Sequence, residues 1–174
     1  MRGYRKRPGT QGFSVPLVGA SLFFIISLFL FASYKNSAYQ QAKKEIYSLY
    51  TANRAFDLDE VYQDGLTAIY AKEYGKTATE AGCEALEQTG LPYVLLLSQF
   101  SAPVERVYVT NCQLSETGRE QTARTYDYTV SVRFCLEKGD EVLAPEKTMD
   151  FHGTVVMKKK GWFRWLLDGV TLGE

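Results

Sequence analysis

Hydropathy changes character twice along this 174-residue chain. Residues 8 to 34 contain no charged side chain, and their heart, VPLVGASLFFIISLFLFASY, runs from Val15 to Tyr34. At about 1.5 Å per residue, a helix of that length spans roughly 30 Å, the hydrocarbon thickness of a bilayer. From Asn36 to Phe56 a second pattern begins. Tyr39, Ala42, Ile46, Leu49, Asn53 and Phe56 recur at steps of three and four, while Lys43, Lys44, Glu45 and Arg54 fall outside the stripe. That spacing predicts a helix with one buried face. Further on the period becomes two. Between Arg124 and Leu136, Tyr126, Tyr128, Val130, Val132, Phe134 and Leu136 alternate with Asp127, Thr129, Ser131, Arg133 and Cys135. This predicts a strand with one buried and one wet face.

Two readings of the uncharged stretch compete, a cleaved secretory signal and a permanent anchor. A cleavable signal has an apolar core of roughly 7–15 residues followed by a small-x-small site. Here the core is longer, and Phe31 or Asn36 stands where a small residue is wanted before Ser33 or Ala38. The anchor fits better. Pro16 falls in the first turn, where a missing N–H costs little, and Tyr34 falls at the far interface. The basic cluster MRGYRKR favours a cytoplasmic N-terminus. The predicted organisation is a basic tail over 1–14, a transmembrane helix over 15–34 and one extracytoplasmic domain over 35–174.

With no breaker between Tyr34 and the stripe, the membrane helix is expected to run into the helix that follows. That stripe suits a helix laid on its own sheet, or a short coiled coil with Asn53 setting register, a route to homo-oligomers through residues 39–56. Asp57 or Asp59 is placed to cap a helix over about 60–74, which Gly75 would stop. Thr77 and Glu80 have capping-box spacing for a helix over about 78–89, ended by Gly90. Leu91-Pro92 restarts the chain, Tyr93 to Phe100 reads as a short buried helix, and Pro103 closes the helical half.

Strands follow. Val104 to Leu114 is rich in valine and pairs with the clear strand after it, across a turn region SETGREQ. A long loop around Gly139-Asp140 leads to Met149, Phe151, Val155 and Met157, which alternate, with Gly153 where a strand often bends. Lys160-Gly161 turns the chain into a last strand from Trp162 to Leu172, bulged at Asp168-Gly169. Helices first and an antiparallel meander after make an α+β fold, with helices packed on a curved four-stranded sheet.

Charge and cysteine content narrow the setting. Four of the 20 basic residues lie in the tail, which leaves 16 against 20 acidic side chains in the remainder, about −4. An acidic body argues against nucleic acid as a partner. Cys83, Cys112 and Cys135 leave an odd count, with no Cys-x-x-Cys pair. Two outcomes stay open: a Cys112–Cys135 bridge, both being placed on strands, or three unpaired thiols.

The segment from Phe151-His152-Gly153-Thr154-Val155 through Lys160-Gly161-Trp162 to Leu167-Asp168-Gly169-Val170 resembles the closing hairpin of the nuclear transport factor 2-like superfamily. In that superfamily a Gly-Trp turn commonly leads into the last strand. The resemblance covers most of residues 40–172 and is one of pattern. It implies a cone-shaped α+β domain with a pocket between sheet and helices. Members include small-molecule isomerases and dehydratases. Others are non-catalytic domains behind a single membrane anchor, in assembly components of type IV secretion and conjugation machines and in some cell-wall enzymes.

Candidate chemistry is sparse. His152 is the only histidine, and Asp150 shares its strand face, as an acid–base pair would. The inward face is set by Met149, Phe151, Val155 and Met157, so both are expected to point outward. One histidine falls short of a metal-ligand set, and no metal or cofactor is expected. No acidic residue falls on an apolar face, whereas an isomerase of this kind needs an interior carboxylate of raised pKa. Phosphate loops, Gly-x-Ser-x-Gly elbows and His-Glu-x-x-His pairs are missing from the sequence. Tyr126 and Tyr128 are the ligand-pocket candidates, through their hydroxyls, or else core residues. The tip KKKGWFRW, with Lys158, Lys159, Lys160, Trp162 and Arg164, is the candidate interaction surface, or else a solvated edge. The functional expectation is a membrane-anchored, non-catalytic scaffold of a bacterial envelope complex, partnered by the membrane and by other envelope proteins. The alternative is a domain that binds or isomerises a small ligand.

Overall fold

A computed structural model describes residues 15–51, 65–92, 104–136, 146–161 and 164–173, without the side chains of 15–18, 105 and 136. Two compact units are present, Met1–Tyr34 and Lys35–Glu174.

The first unit contributes α1, Val15–Lys35, a helix of 21 residues. From Gly19 onward its apolar side chains stand exposed around the circumference, Phe23 at 74% and Ile26 at 49%. Among the described residues, counted from Gly19, no single helix is long and apolar enough to cross a membrane. Gly19–Lys35 taken together with Ala38–Thr51 passes on length and composition.

In the second unit, α2 is Ala38–Thr51. It does not continue α1. Asn36 and Ser37 break the helix, because Ser37 Oγ accepts from the Gln40 N–H at 3.3 Å and caps a new start. Ala38, Ala42, Ile46, Leu49 and Tyr50 bury one face of α2, chiefly against β1, so the predicted stripe serves the chain's own sheet. Asn53 and Phe56, the rest of that stripe, lie outside the described residues.

Helix α3, Leu66–Tyr74, begins after Gly65 at φ 79°. The predicted start at 60 and the caps Asp57 and Asp59 lie outside the described residues. Gly75 ends α3 in a right-handed conformation, its N–H donating to the Ala71 carbonyl. Helix α4 is Glu80–Thr89, capped by Thr79 rather than by the predicted Thr77. Thr77 is held elsewhere. Its carbonyl accepts from Leu167 N–H at 2.9 Å, and Thr79 N–H donates to the Leu167 carbonyl at 2.8 Å. Residues 77–79 thus run as a short parallel bridge along the last strand. Gly90, at φ 70°, supplies the left-handed stop that only glycine adopts without strain. The predicted helix over 93–100 lies outside the described residues.

The sheet is a meander in the order β1-β2-β3-β4, all antiparallel, from Val104–Arg119, Ala123–Leu136, Glu146–Lys159 and Trp165–Leu172. Most of the predicted turn SETGREQ is strand: pairing continues to Arg119 opposite Arg124, which leaves only residues 120–122 to turn. The predicted bulge is present, since Val156 pairs with Gly169 and Met157 with Leu167, and Asp168 is the extra residue. Cys112 faces Val130 and Cys135 faces Arg106, five positions apart along β2, so no bridge joins them and all three thiols are free. The core lies between α2 and the sheet, with Val130, Val132, Phe134, Val155 and Met157 fully buried on the inner face. An α+β domain with helices on a four-stranded antiparallel meander is therefore what the sequence pattern predicts.

Candidate functional site

The interior between α2 and the sheet is occupied by aromatic side chains. Tyr126 and Tyr128 are each 2% exposed. Tyr128 Oη lies 3.0 Å from the Thr171 carbonyl, to which it donates, and 3.0 Å from Tyr50 Oη. A phenol has one proton to give, so Tyr50 must donate to Tyr128. Burial raises the pKa of both phenols, and the neighbouring Tyr128 oxygen raises that of Tyr50 further. The Tyr50 ring also packs on Phe151 at 5.3 Å, and Tyr39 meets Tyr126 edge-on at 6.0 Å. Gly153, opposite Tyr128 in the register, is the space that lets the phenol through: a Cβ there would meet Tyr128 Oη at 2.8 Å and the Thr171 carbonyl.

Open concavity lies at the end of the sheet where β3 turns into β4. Two clefts flank Leu166. One, of about 430 Å³, runs between Lys158–Lys160 and the segment Gly75–Glu80. The other, of about 230 Å³, is lined by the first turns of α2, by Lys76 and Thr77, and by Arg164 and Trp165. Arg164 reaches across and donates to the Lys76 carbonyl, which ties the start of β4 to the α3–α4 connection. Arg124 lies over the Trp165 ring, 5.5 Å from its centroid, a cation–π contact.

Glu45 borders the smaller cleft and is only 9% exposed. Burial raises its carboxyl pKa above the ordinary 4.5, with Lys44 and a hydrogen bond from Thr77 opposing the shift. This corrects the expectation that no acidic residue lies on an apolar face. Glu45 follows Ala42 by three positions and precedes Leu49 by four, both buried, so it belongs to the buried face of α2. That spacing was the available signal.

Among solved structures, an "Ntf2 like protein involved in plasmid conjugation" is similar to this chain, at 11% identity and a TM-score of 0.41. The match covers 77% of this chain and 46% of that one, so the chain spans less than half of that protein's length. No family model matches the chain, and no curated protein matches it.

The predicted residues divide between these two places. Tyr126 and Tyr128 are buried in the interior, where Tyr39, Tyr50 and the Thr171 carbonyl are among their neighbours. Lys158, Lys159, Lys160 and Arg164 come together around the clefts, joined by Lys44 and Lys76, which sequence reading did not single out. Trp162 lies outside the described residues. Asp150 and His152 point away from the core, as their place in the alternation predicts, and both are exposed.

Proposed function

We propose that this chain is a single-pass, membrane-anchored scaffold or assembly protein of a bacterial envelope complex, of the kind found in secretion or conjugation machines. Its N-terminal tail is cytoplasmic and its α+β domain extracytoplasmic. The observation that carries this reading is α1, an uncharged helix up to Lys35 whose large apolar side chains from Leu22 to Phe31 all stand exposed. Nine large hydrophobics between Leu22 and Phe31 exposed to water would be a severe liability, and a bilayer removes it. The tyrosine hydroxyls spent on one another and on Thr171 support a structural rather than a catalytic interior.

Two measurements test the proposal on the full chain. Resistance to alkaline carbonate extraction supports the anchor, and release into the supernatant overturns it. Crosslinking in intact membranes, followed by recovery of the chain in detergent, is expected to bring down other envelope proteins. Repeated recovery of the chain alone counts against a scaffold.

One observation favours the second reading, a small-ligand domain. Glu45 is a buried carboxyl of raised pKa at the wall of a cleft, the kind of group that holds a proton for acid–base work. Under this reading the ligand sits beside Lys44, Glu45 and Arg164, and not beside Tyr126 and Tyr128. Ligand-dependent thermal stabilisation that Glu45→Gln abolishes and Tyr128→Phe leaves in place would decide for it.

A further inference from the structure

The basic side chains at the β3–β4 end are gathered against the overall charge of the body. Lys44, Lys76, Lys158, Lys159, Lys160 and Arg164 are all exposed around the two clefts. Residues 35–174 carry 20 acidic against 16 basic side chains, so an even distribution would not produce this cluster. Few acids oppose it. Glu45 is buried and shifted toward its neutral form, and Asp168 is held by Thr79 at 2.6 Å and by Lys158 at 3.7 Å. Glu80 is the remaining carboxylate at the clefts. Among the described residues, Lys76, Lys159 and Lys160 have no carboxylate within salt-bridge reach, so their charge is available to a partner.

The chain's connectivity puts this face close to the end of α1. Asn36, which lines the smaller cleft, directly follows Lys35, the last residue of α1. Consecutive Cα atoms are about 3.8 Å apart, so Asn36 is within roughly 8 Å of Tyr34 along the chain. If α1 spans a bilayer, Asn36 stands at the headgroup layer, and the cleft it lines stands there too. Phospholipid phosphates are present at that depth on either side of a bilayer, lysine is a phosphate binder, and headgroups of net negative charge leave the phosphate uncompensated.

We infer that the basic face formed by Lys76, Lys158, Lys159, Lys160 and Arg164 docks on anionic phospholipid headgroups of the membrane that holds α1. The inference rests on the anchor proposed above. Docking at this face fixes the domain against the bilayer by two points, the helix and the hairpin, and restricts its rotation about the anchor.

The test uses the full chain in nanodiscs of phosphatidylcholine alone or of phosphatidylcholine with phosphatidylglycerol, with lysine acetylation read by mass spectrometry. A lysine at an anionic surface favours contact by a factor of about five. Acetylation of Lys76, Lys159 and Lys160 is therefore expected to slow several-fold in the phosphatidylglycerol discs and to recover in high salt. Lys147, on the opposite end of β3, is expected to react equally in both. The variant Lys158→Glu/Lys159→Glu/Lys160→Glu, at surface positions that leave the core intact, should lose the protection at Lys76. Equal reactivity of the cluster in both discs, or equal protection of Lys147, overturns the docking while leaving the anchor standing. A chain that carbonate strips from membranes overturns the anchor. Docking is then read from flotation with phosphatidylglycerol vesicles, where binding that the triple variant loses supports it and no binding overturns it.

Discussion

Thr79 Oγ1 lies 2.6 Å from the carboxylate of Asp168, 89 positions along the chain. The same hydroxyl accepts from Gly82 N–H at 3.1 Å and so caps α4. Asp168 is the extra residue of the β4 bulge, and the bulge is what re-aims its side chain toward the helix start. One hydroxyl thus fastens the sheet's last strand to α4, beside the larger cleft.

Thr79→Ala removes the cap and takes from Asp168 its hydroxyl donor, leaving the carboxylate, among the described residues, only Lys158 at 3.7 Å. Loss of about 1–2 kcal/mol is expected, measured as a lower urea midpoint at unchanged slope. Thr79→Ser keeps the oxygen and is expected to retain most of the stability. Equal losses in both variants would show that the methyl group, and not the hydroxyl, matters.

Gly153→Ala places a Cβ against Tyr128 Oη and the Thr171 carbonyl. The strands must separate or the phenol must move, and overpacking of this kind costs about 1–3 kcal/mol. Tyr128→Phe is expected to cost about 1–2 kcal/mol, since the Tyr50 hydroxyl loses its acceptor and the Thr171 carbonyl its donor. Urea unfolding of both variants checks this, and a neutral Tyr128→Phe would mean that the hydroxyl chain contributes nothing.

The phenols also set a pH dependence. Burial raises the pKa of Tyr50 and Tyr128 in the folded chain above the ordinary 10.0. A raised value means that the folded state keeps its protons longer than the unfolded state. The stabilisation is fully present below pH of about 10 and is lost as pH rises beyond it. Thermal unfolding followed from neutral to alkaline pH should show a steep fall there, shallower in the Tyr50→Phe variant.

Glu45 behaves in the same sense at lower pH. Its pKa is raised by burial, so its neutral form fits the fold and its ionised form is penalised. The contribution is present below the ordinary 4.5 and is lost as pH climbs through the folded value. Glu45→Gln is expected to unfold at a higher temperature than the parent at neutral pH, the difference shrinking toward pH of about 4. A variant less stable than the parent at neutral pH would show that Glu45 has a charged partner the fold relies on.

Element type was legible wherever one period dominated locally. The alternation from Tyr126 to Leu136 became β2 with Tyr126, Tyr128, Val130, Val132 and Phe134 buried, because a pleated strand sends every second side chain to one face. The bulge at Asp168-Gly169 was legible as well, from a polar–glycine interruption in an apolar run. Boundaries decided by distant contacts were not. Thr77 has capping-box spacing to Glu80 and Thr79 has not, yet the cap falls to Thr79 because Thr77 gives its carbonyl to Leu167. Ser115 to Arg119 look like a turn, yet they pair with β2, since cross-strand hydrogen bonds outweigh weak local strand preference.

The sequence by itself determined the uncharged helix up to Lys35, the α2 stripe, the alternation of the sheet and the order of helices before strands. These follow from local periodicity, which needs no partner to be read. Only the tertiary structure decided that Tyr50, Tyr128 and Thr171 form one hydroxyl chain, and that Glu45 is buried at a cleft. It likewise decided that Lys44, Lys76, Lys158–Lys160 and Arg164 share one end of the domain. Each of these joins residues far apart in the chain, and their proximity is set by the packing of α2, α4 and the connection between α3 and α4 on the sheet.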